Sequence, residues 1–143
     1  MMHISFPLAA VLAASALAGT AGDDILIGTD GDDLIEGGPG NDVLTGGVGR
    51  DTLIGGDGED IFVLETNGAG SLTLADIIVD FTPQDDLLRL PEGLSFADLI
   101  IEQGTPGSGV ATTDTVIRTT SGDFLAVMLN TDAQQITQAA FSA

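Results

Sequence analysis

Residues 19–63 read GTAGDDILI, GTDGDDLIE, GGPGNDVLT, GGVGRDTLI and GGDGEDIFV, five nonapeptides joined without a gap. Glycine is first in each unit (Gly19, Gly28, Gly37, Gly46, Gly55) and fourth in each (Gly22, Gly31, Gly40, Gly49, Gly58). Aspartate is always sixth (Asp24, Asp33, Asp42, Asp51, Asp60), and an apolar residue is always eighth (Leu26, Ile35, Leu44, Leu53, Phe62). A flexible glycine-rich linker could share this composition but would not hold the aspartate and the apolar residue in one phase. The repeat is therefore structural.

Each part of the unit has a chemical reading. Glycines let the backbone take positive φ and turn sharply, leaving carbonyl oxygens open to a ligand. Calcium is a hard cation that takes six to eight oxygens from carboxylates and backbone carbonyls. A glycine loop followed by aspartate offers both kinds. The last three residues of each unit alternate outward, inward, outward as a very short strand, so the eighth position faces an interior. One such strand buries almost nothing alone, and only stacked copies make a core.

These residues resemble the RTX, or hemolysin-type, calcium-binding repeat G-G-x-G-x-D-x-U-x. The departures are Thr20 and Thr29 at the second position, and Arg50 and Glu59 at the fifth. The resemblance implies an all-β fold, a right-handed parallel β-roll in which two nonapeptides make one coil and each Ca2+ lies between loops of successive coils. Units one, three and five then stack on one side and units two and four on the other, which makes room for at least three ions. By the same resemblance the metal ligands are Asp24, Asp33, Asp42, Asp51 and Asp60. The backbone carbonyls of Gly19, Gly22, Gly28, Gly31, Gly37, Gly40, Gly46, Gly49, Gly55 and Gly58 would complete the set. Asp24 is then expected beside Asp42, and Asp33 beside Asp51, at about the 4.8 Å spacing of strands. Like charges that close repel strongly unless a cation lies between them. The repeat region is thus expected to be disordered without metal, with calcium binding and folding a single event. Extracellular modules commonly bind calcium at about 0.1–1 mM.

The charge balance agrees. The 143 residues include 22 acidic ones against Arg50, Arg89 and Arg118, with no lysine, for a net charge of −19. Nucleic acid and anionic membrane surfaces would be repelled. With six Phe and no Trp or Tyr, the packing must be mainly aliphatic. The absence of cysteine removes disulfides, thiolate metal sites and cysteine nucleophiles.

An apolar run from Ile4 to Ala18 ends in Ala16-Leu17-Ala18, an A-x-A-like cleavage pattern. It is shorter than a membrane span requires and lacks the basic start of a secretory signal. Residues 1–18 are read either as a signal peptide or as an N-terminal cap of the fold, and residues 19–63 as the calcium-binding roll.

Beyond Val63 the nine-residue register stops, and residues 64–143 are expected to form a β-rich cap over the open end of the roll. Within it, 64–71 reads as a loop, and Leu72 to Phe81 and Leu87 to Leu90 read as strands around a turn at 82–86. A capped helical turn is expected at Ser95 to Leu99, and a hairpin from Thr115 to Thr120 and Phe124 to Leu129. Asp132 would cap a last short helix running to Phe141. Asp76-Ile77-Ile78-Val79-Asp80-Phe81 with Asp85-Asp86-Leu87 resembles the D-x-I-x-D-F…D-x-L segment that often closes RTX rolls. Through that resemblance Asp76, Asp80, Asp85 and Asp86 are candidates for a terminal calcium site, against a plain reading as surface carboxylates of a turn. Residues 131–143 are compatible with the uncleaved signal that the family commonly presents to a type I secretion channel. The outward positions of the odd units (Ile25, Ile27, Val43, Thr45, Ile61, Val63) are nearly all apolar, so that face is expected to be covered by the C-terminal half or by a second copy.

Catalytic machinery is missing by residue type. His3 is the sole histidine, so no Ser-His-Asp arrangement is available, and there is no H-E-x-x-H, P-loop or lysine. Carboxylate pairs exist, but the resemblance already assigns them as ligands. No catalytic or organic-cofactor residue is expected, and the chain is read as a secreted, extracellular calcium-binding module and not an enzyme. The alternatives are a calcium-dependent adhesion or polysaccharide-binding module, and a detached tail of a larger secreted enzyme.

Overall fold

The computed structural model of the chain describes residues 15–66 and 72–142. Most of the apolar run, up to Ala14, and part of the expected 64–71 loop lie outside the described residues.

Each nonapeptide spends its first six residues on a turn and its last three on a strand. Strands β1 (Ala16–Ala18), β3 (Leu34–Glu36) and β5 (Thr52–Ile54) pair in parallel, as do β2 (Ile25–Ile27), β4 (Val43–Thr45) and β6 (Ile61–Val63). Partners along each stack are 18 residues apart, as in Leu26↔Leu44↔Phe62 and Leu17↔Ile35↔Leu53. Two nonapeptides thus make one coil, and successive strands alternate between two facing sheets. β-branched and aliphatic residues suit such strands, and the glycine-rich turns bound them at three residues.

The core follows from that geometry. Leu26, Ile35, Leu44, Leu53 and Phe62 are buried at the centre of their strands, while the residues on either side point outward. They form one apolar cluster with Leu64, Ile78, Leu88 and the cap residues Ile117, Leu125 and Met128. The architecture is all-β, a parallel β-roll with a mixed sheet at its C-terminal end.

The roll outlasts the repeat. β7 (Asp76–Ile78) adds in parallel to β5, and β8 (Leu87–Arg89) adds in parallel to β6. They build a fourth coil, with Ile78 and Leu88 fully buried in the core positions. The strands expected from Leu72 to Phe81 and from Leu87 to Leu90 are therefore shorter; the expected turn at 82–86 is present, with Asp86 N–H donating to the Thr82 carbonyl at 2.8 Å, and it carries the chain from one sheet to the other. A 3-10 turn, Leu72–Leu74, precedes β7.

Both sheets are then closed at this end. β9 (Leu99–Gln103), β10 (Thr115–Thr119) and β11 (Phe124–Met128) form an antiparallel extension, and β11 joins β7 in parallel. β12 (Phe141–Ser142) joins β8 in parallel. The expected hairpin is β10–β11. The expected turn at Ser95 is a 3-10 turn, Phe96–Asp98, in which the Asp98 carboxylate accepts from the Ser95 N–H at 2.8 Å. Phe96 packs edge-on to Phe141, with ring centroids 5.3 Å apart, and so ties the chain's last strand to this turn. Asp132 caps only the short 3-10 turn Ala133–Gln135, and a second one, Gln138–Ala140, leads into β12 in place of one continuous helix.

The outward face of the odd units is unevenly covered: Val43, Thr45, Ile61 and Val63 are half-buried, whereas both outward residues of β2 are exposed. Ile25 and Ile27 are 76% and 64% exposed on β2, the last strand of its sheet among the described residues. The cap stacks on the far end of the roll, three coils away.

Candidate metal centre

The turns between strands form two rows, one on each edge of the roll. One row is made by residues 19–24, 37–42, 55–60 and 79–86, the other by 28–33, 46–51 and the described residues 64–66 and 72–75. Parallel pairing with an 18-residue offset stacks like positions directly, so the aspartates line up coil by coil.

They are linked through the backbone. The N–H of Asp24 donates to Asp42 Oδ1 at 2.8 Å, that of Asp33 to Asp51 Oδ1 at 2.8 Å, and that of Asp42 to Asp60 Oδ1 at 2.9 Å. The fourth coil continues both rows, because Asp51 N–H donates to Asp76 Oδ1 and Asp60 N–H to Asp86 Oδ1, each at 2.9 Å. Ser15 begins one row by donating to Asp33 Oδ1 through its N–H at 3.1 Å. The fifth positions run a second ladder in the opposite sense. Asn41 N–H donates to Asp23 Oδ1, Arg50 N–H to Asp32 Oδ1 and Glu59 N–H to Asn41 Oδ1, at 2.8–2.9 Å.

In Asp42, Asp51 and Asp60 these bonds use one carboxylate oxygen and leave the other, whereas Asp33 Oδ2 and Asp86 Oδ2 accept from the N–H of Thr29 and Thr82. Asp42, Asp51 and Asp60 are 1%, 0% and 1% exposed, and the Oδ2 of each is buried with no hydrogen-bond partner. A bare buried carboxylate oxygen is costly unless a cation or donor meets it. The oxygens also converge. A Cβ built on Gly37 would lie 2.5 Å from Asp42 Oδ2 and 2.6 Å from the Gly55 carbonyl oxygen, one coil on. The same convergence brings Asp24 Oδ2 and the Gly37 carbonyl to Gly19, and Asp33 Oδ2 and the Gly46 carbonyl to Gly28. The first-position glycines are thus required by close approach, and positive φ falls instead at the second and fourth positions: Gly38, Gly40, Gly47, Gly49, Gly56 and Gly58. Among the carbonyls expected as ligands, those of Gly22, Gly31 and Gly40 face the fourth-position glycine of the next coil.

The electrostatics fit a cation. Burial pushes the Asp51 and Asp76 carboxyls up to about 7 and Asp60 up to about 6, opposed by the backbone N–H each accepts and reinforced by neighbouring carboxylates. Asp42 and Asp86 are raised for the same leading reason, burial. No cluster of three or more His, Cys, Asp or Glu side chains among the described residues is arranged to hold a metal. The donor set is instead a carboxylate oxygen with main-chain carbonyls, an all-oxygen set suited to calcium and unsuited to soft metals.

The four C-terminal candidates part ways. Asp76 and Asp86 are buried and occupy sixth-position places in the fourth coil. Asp80 uses both oxygens on the previous coil, accepting from Gly55 N–H and Gly56 N–H at 2.8 Å each. Asp85 is exposed. Sequence reasoning passed over Glu65, whose Oε1 accepts from Gly47 N–H at 2.9 Å. It also passed over Ser15, although Ser15-Ala16-Leu17 has the polar-x-apolar spacing of the sixth to eighth positions.

This fold and these turns define a calcium-binding β-roll, and comparison agrees: residues 18–53 and 36–65 match the RTX calcium-binding nonapeptide repeat (4 copies). Residues 18–65 of the chain thus carry the RTX calcium-binding nonapeptide repeat. Among solved structures it is similar to the AlgE6R3 subunit of the Azotobacter vinelandii mannuronan C5-epimerase, with 27% identity and a TM-score of 0.67 over 95% of this chain and 81% of that one. It is also similar to the AlgE6R2 subunit of that epimerase, with 27% identity and a TM-score of 0.57 over 87% of this chain and 89% of that one. No curated protein matches the chain.

Proposed function

We propose that this chain is an extracellular module whose folding is driven by calcium bound between stacked turns, with Asp42, Asp51 and Asp60 at the centre of the sites. The observation that carries the reading is the bare, buried Oδ2 on each of these three residues. Without a cation the rows of carboxylate repel one another within a chain of net charge −19. With one, charge is neutralised and adjacent coils are bridged. At least three ions per chain are expected. A module of this affinity class stays unfolded at cytosolic calcium and folds after export, which suits passage through a type I channel.

Circular dichroism during calcium titration, paired with calorimetry, tests the reading. β signal should appear together with calcium uptake and be lost on chelation, and magnesium should substitute poorly because it demands a small octahedral shell. An unchanged β signal in chelator would overturn it.

A second reading draws on the similarity to two subunits of a mannuronan C5-epimerase. On that reading the module accompanies a polysaccharide-acting enzyme and itself contacts the polymer. Mannuronan oligomers binding in calcium, and not in chelator, would support it; no binding in calcium would remove it.

A further inference from the structure

The five turns fall into two kinds, divided by the residue at the second position. In the third, fourth and fifth units that residue is glycine with positive φ (Gly38 +88°, Gly47 +92°, Gly56 +91°), followed two places on by a second left-handed glycine. Where their partners are seen, the amides of these glycines point to the next coil: Gly47 N–H donates to Glu65 Oε1 and Gly56 N–H to Asp80 Oδ2. The Oδ2 of Asp42, Asp51 and Asp60 is left bare.

In the first two units the second position is threonine, and neither Gly22 nor Gly31 is left-handed. A β-branched residue disfavours positive φ, so the turn takes another path and its amide swings inward. Thr20 N–H donates to Asp24 Oδ2 at 2.6 Å, and Thr29 N–H to Asp33 Oδ2 at 2.6 Å. The hydroxyls add to this, with Thr20 Oγ1 3.0 Å from Asp24 Oδ1 and Thr29 Oγ1 2.9 Å from Asp33 Oδ1. Two donors on one carboxylate satisfy it within its own turn.

We infer that Thr20 and Thr29 are latches that satisfy Asp24 and Asp33 without metal, so that calcium is held by the three glycine-type turns and the first two turns form a metal-independent start to the roll. This inference rests on the repeats binding calcium as proposed above. It assigns different roles to five aspartates that stand at the same place in the repeat.

The test is to count ions on the intact folded chain by native mass spectrometry at saturating calcium, with circular dichroism to confirm folding. D42N, D51N and D60N should each lower the count by one, while D24N and D33N leave it unchanged. Replacing both latches (T20G/T29G) should raise the count. If the unaltered chain takes up no calcium, the parent reading falls. If it takes up calcium but D24N and D33N lose ions as D42N does, or if T20G/T29G gains none, the latch inference alone is overturned.

Discussion

At the scale of single residues, glycine serves two different ends in one repeat. Gly37 has an ordinary φ, yet an added Cβ would press on Asp42 Oδ2 and the Gly55 carbonyl. Gly37→Ala should cost about 1–3 kcal/mol in the calcium-loaded protein, as overpacking does, measured by denaturant unfolding. Gly22 stands at the fourth position of a threonine-type turn, where the nearest atom to a new Cβ is Thr20 Oγ1 at 3.8 Å. Gly22→Ala should stay within about 0.5 kcal/mol. The carboxylates predict a pH response whose sign is opposite with and without metal. Asp51 and Asp76 have folded values raised from 3.8 to about 7, so the folded state holds their protons more tightly than the unfolded state does. Metal-free stability is then greatest below about 4 and declines as pH rises towards 7. In chelator, β signal should therefore grow on acidification across that window. Calcium affinity should fall over the same range, because the ion needs the deprotonated oxygens. Both trends can be followed by circular dichroism and calorimetry.

At the scale of elements, the nine-residue phase made two and a half coils legible, β2 to β6, because Asp at the sixth position and an apolar residue at the eighth recur without interruption to Phe62. The fourth coil was hidden by the lengths of its loops. Thr52 pairs with Ile77 and Ile61 with Leu87, offsets of 25 and 26 residues where 18 had held. The residues themselves kept the pattern: Asp76-Ile77-Ile78 and Asp86-Leu87-Leu88 each repeat the Asp-x-apolar step of Asp24-Ile25-Leu26. The split of the candidate site into latched and bare carboxylates was likewise written at Thr20 and Thr29. It became readable only when the path of the backbone showed where their amides point. Ile78→Ala tests the standing of the fourth coil. If it is a structural coil, the substitution should cost about 2–5 kcal/mol, as truncation of a fully buried side chain does, and match Leu53→Ala. A shift under about 0.5 kcal/mol would mean that β7 is a peripheral loop.

At the scale of the whole molecule, the roll has two unlike ends. β11 and β12 join the two sheets beyond β7 and β8, whereas among the described residues β1 and β2 are the outermost strands at the other end and keep Ile25 and Ile27 exposed. The stack is therefore polar, and the ladder of aspartates shares that polarity: each coil's amide depends on a carboxylate delivered by the coil synthesised after it. A hydrogen-exchange experiment in calcium should find a gradient, with amides of β7 and β8 slowest and those of β2 fastest. A flat profile would contradict it. The molecule then behaves as a zipper fastened at one end, opening first at its leading coil while the distal seam holds longest.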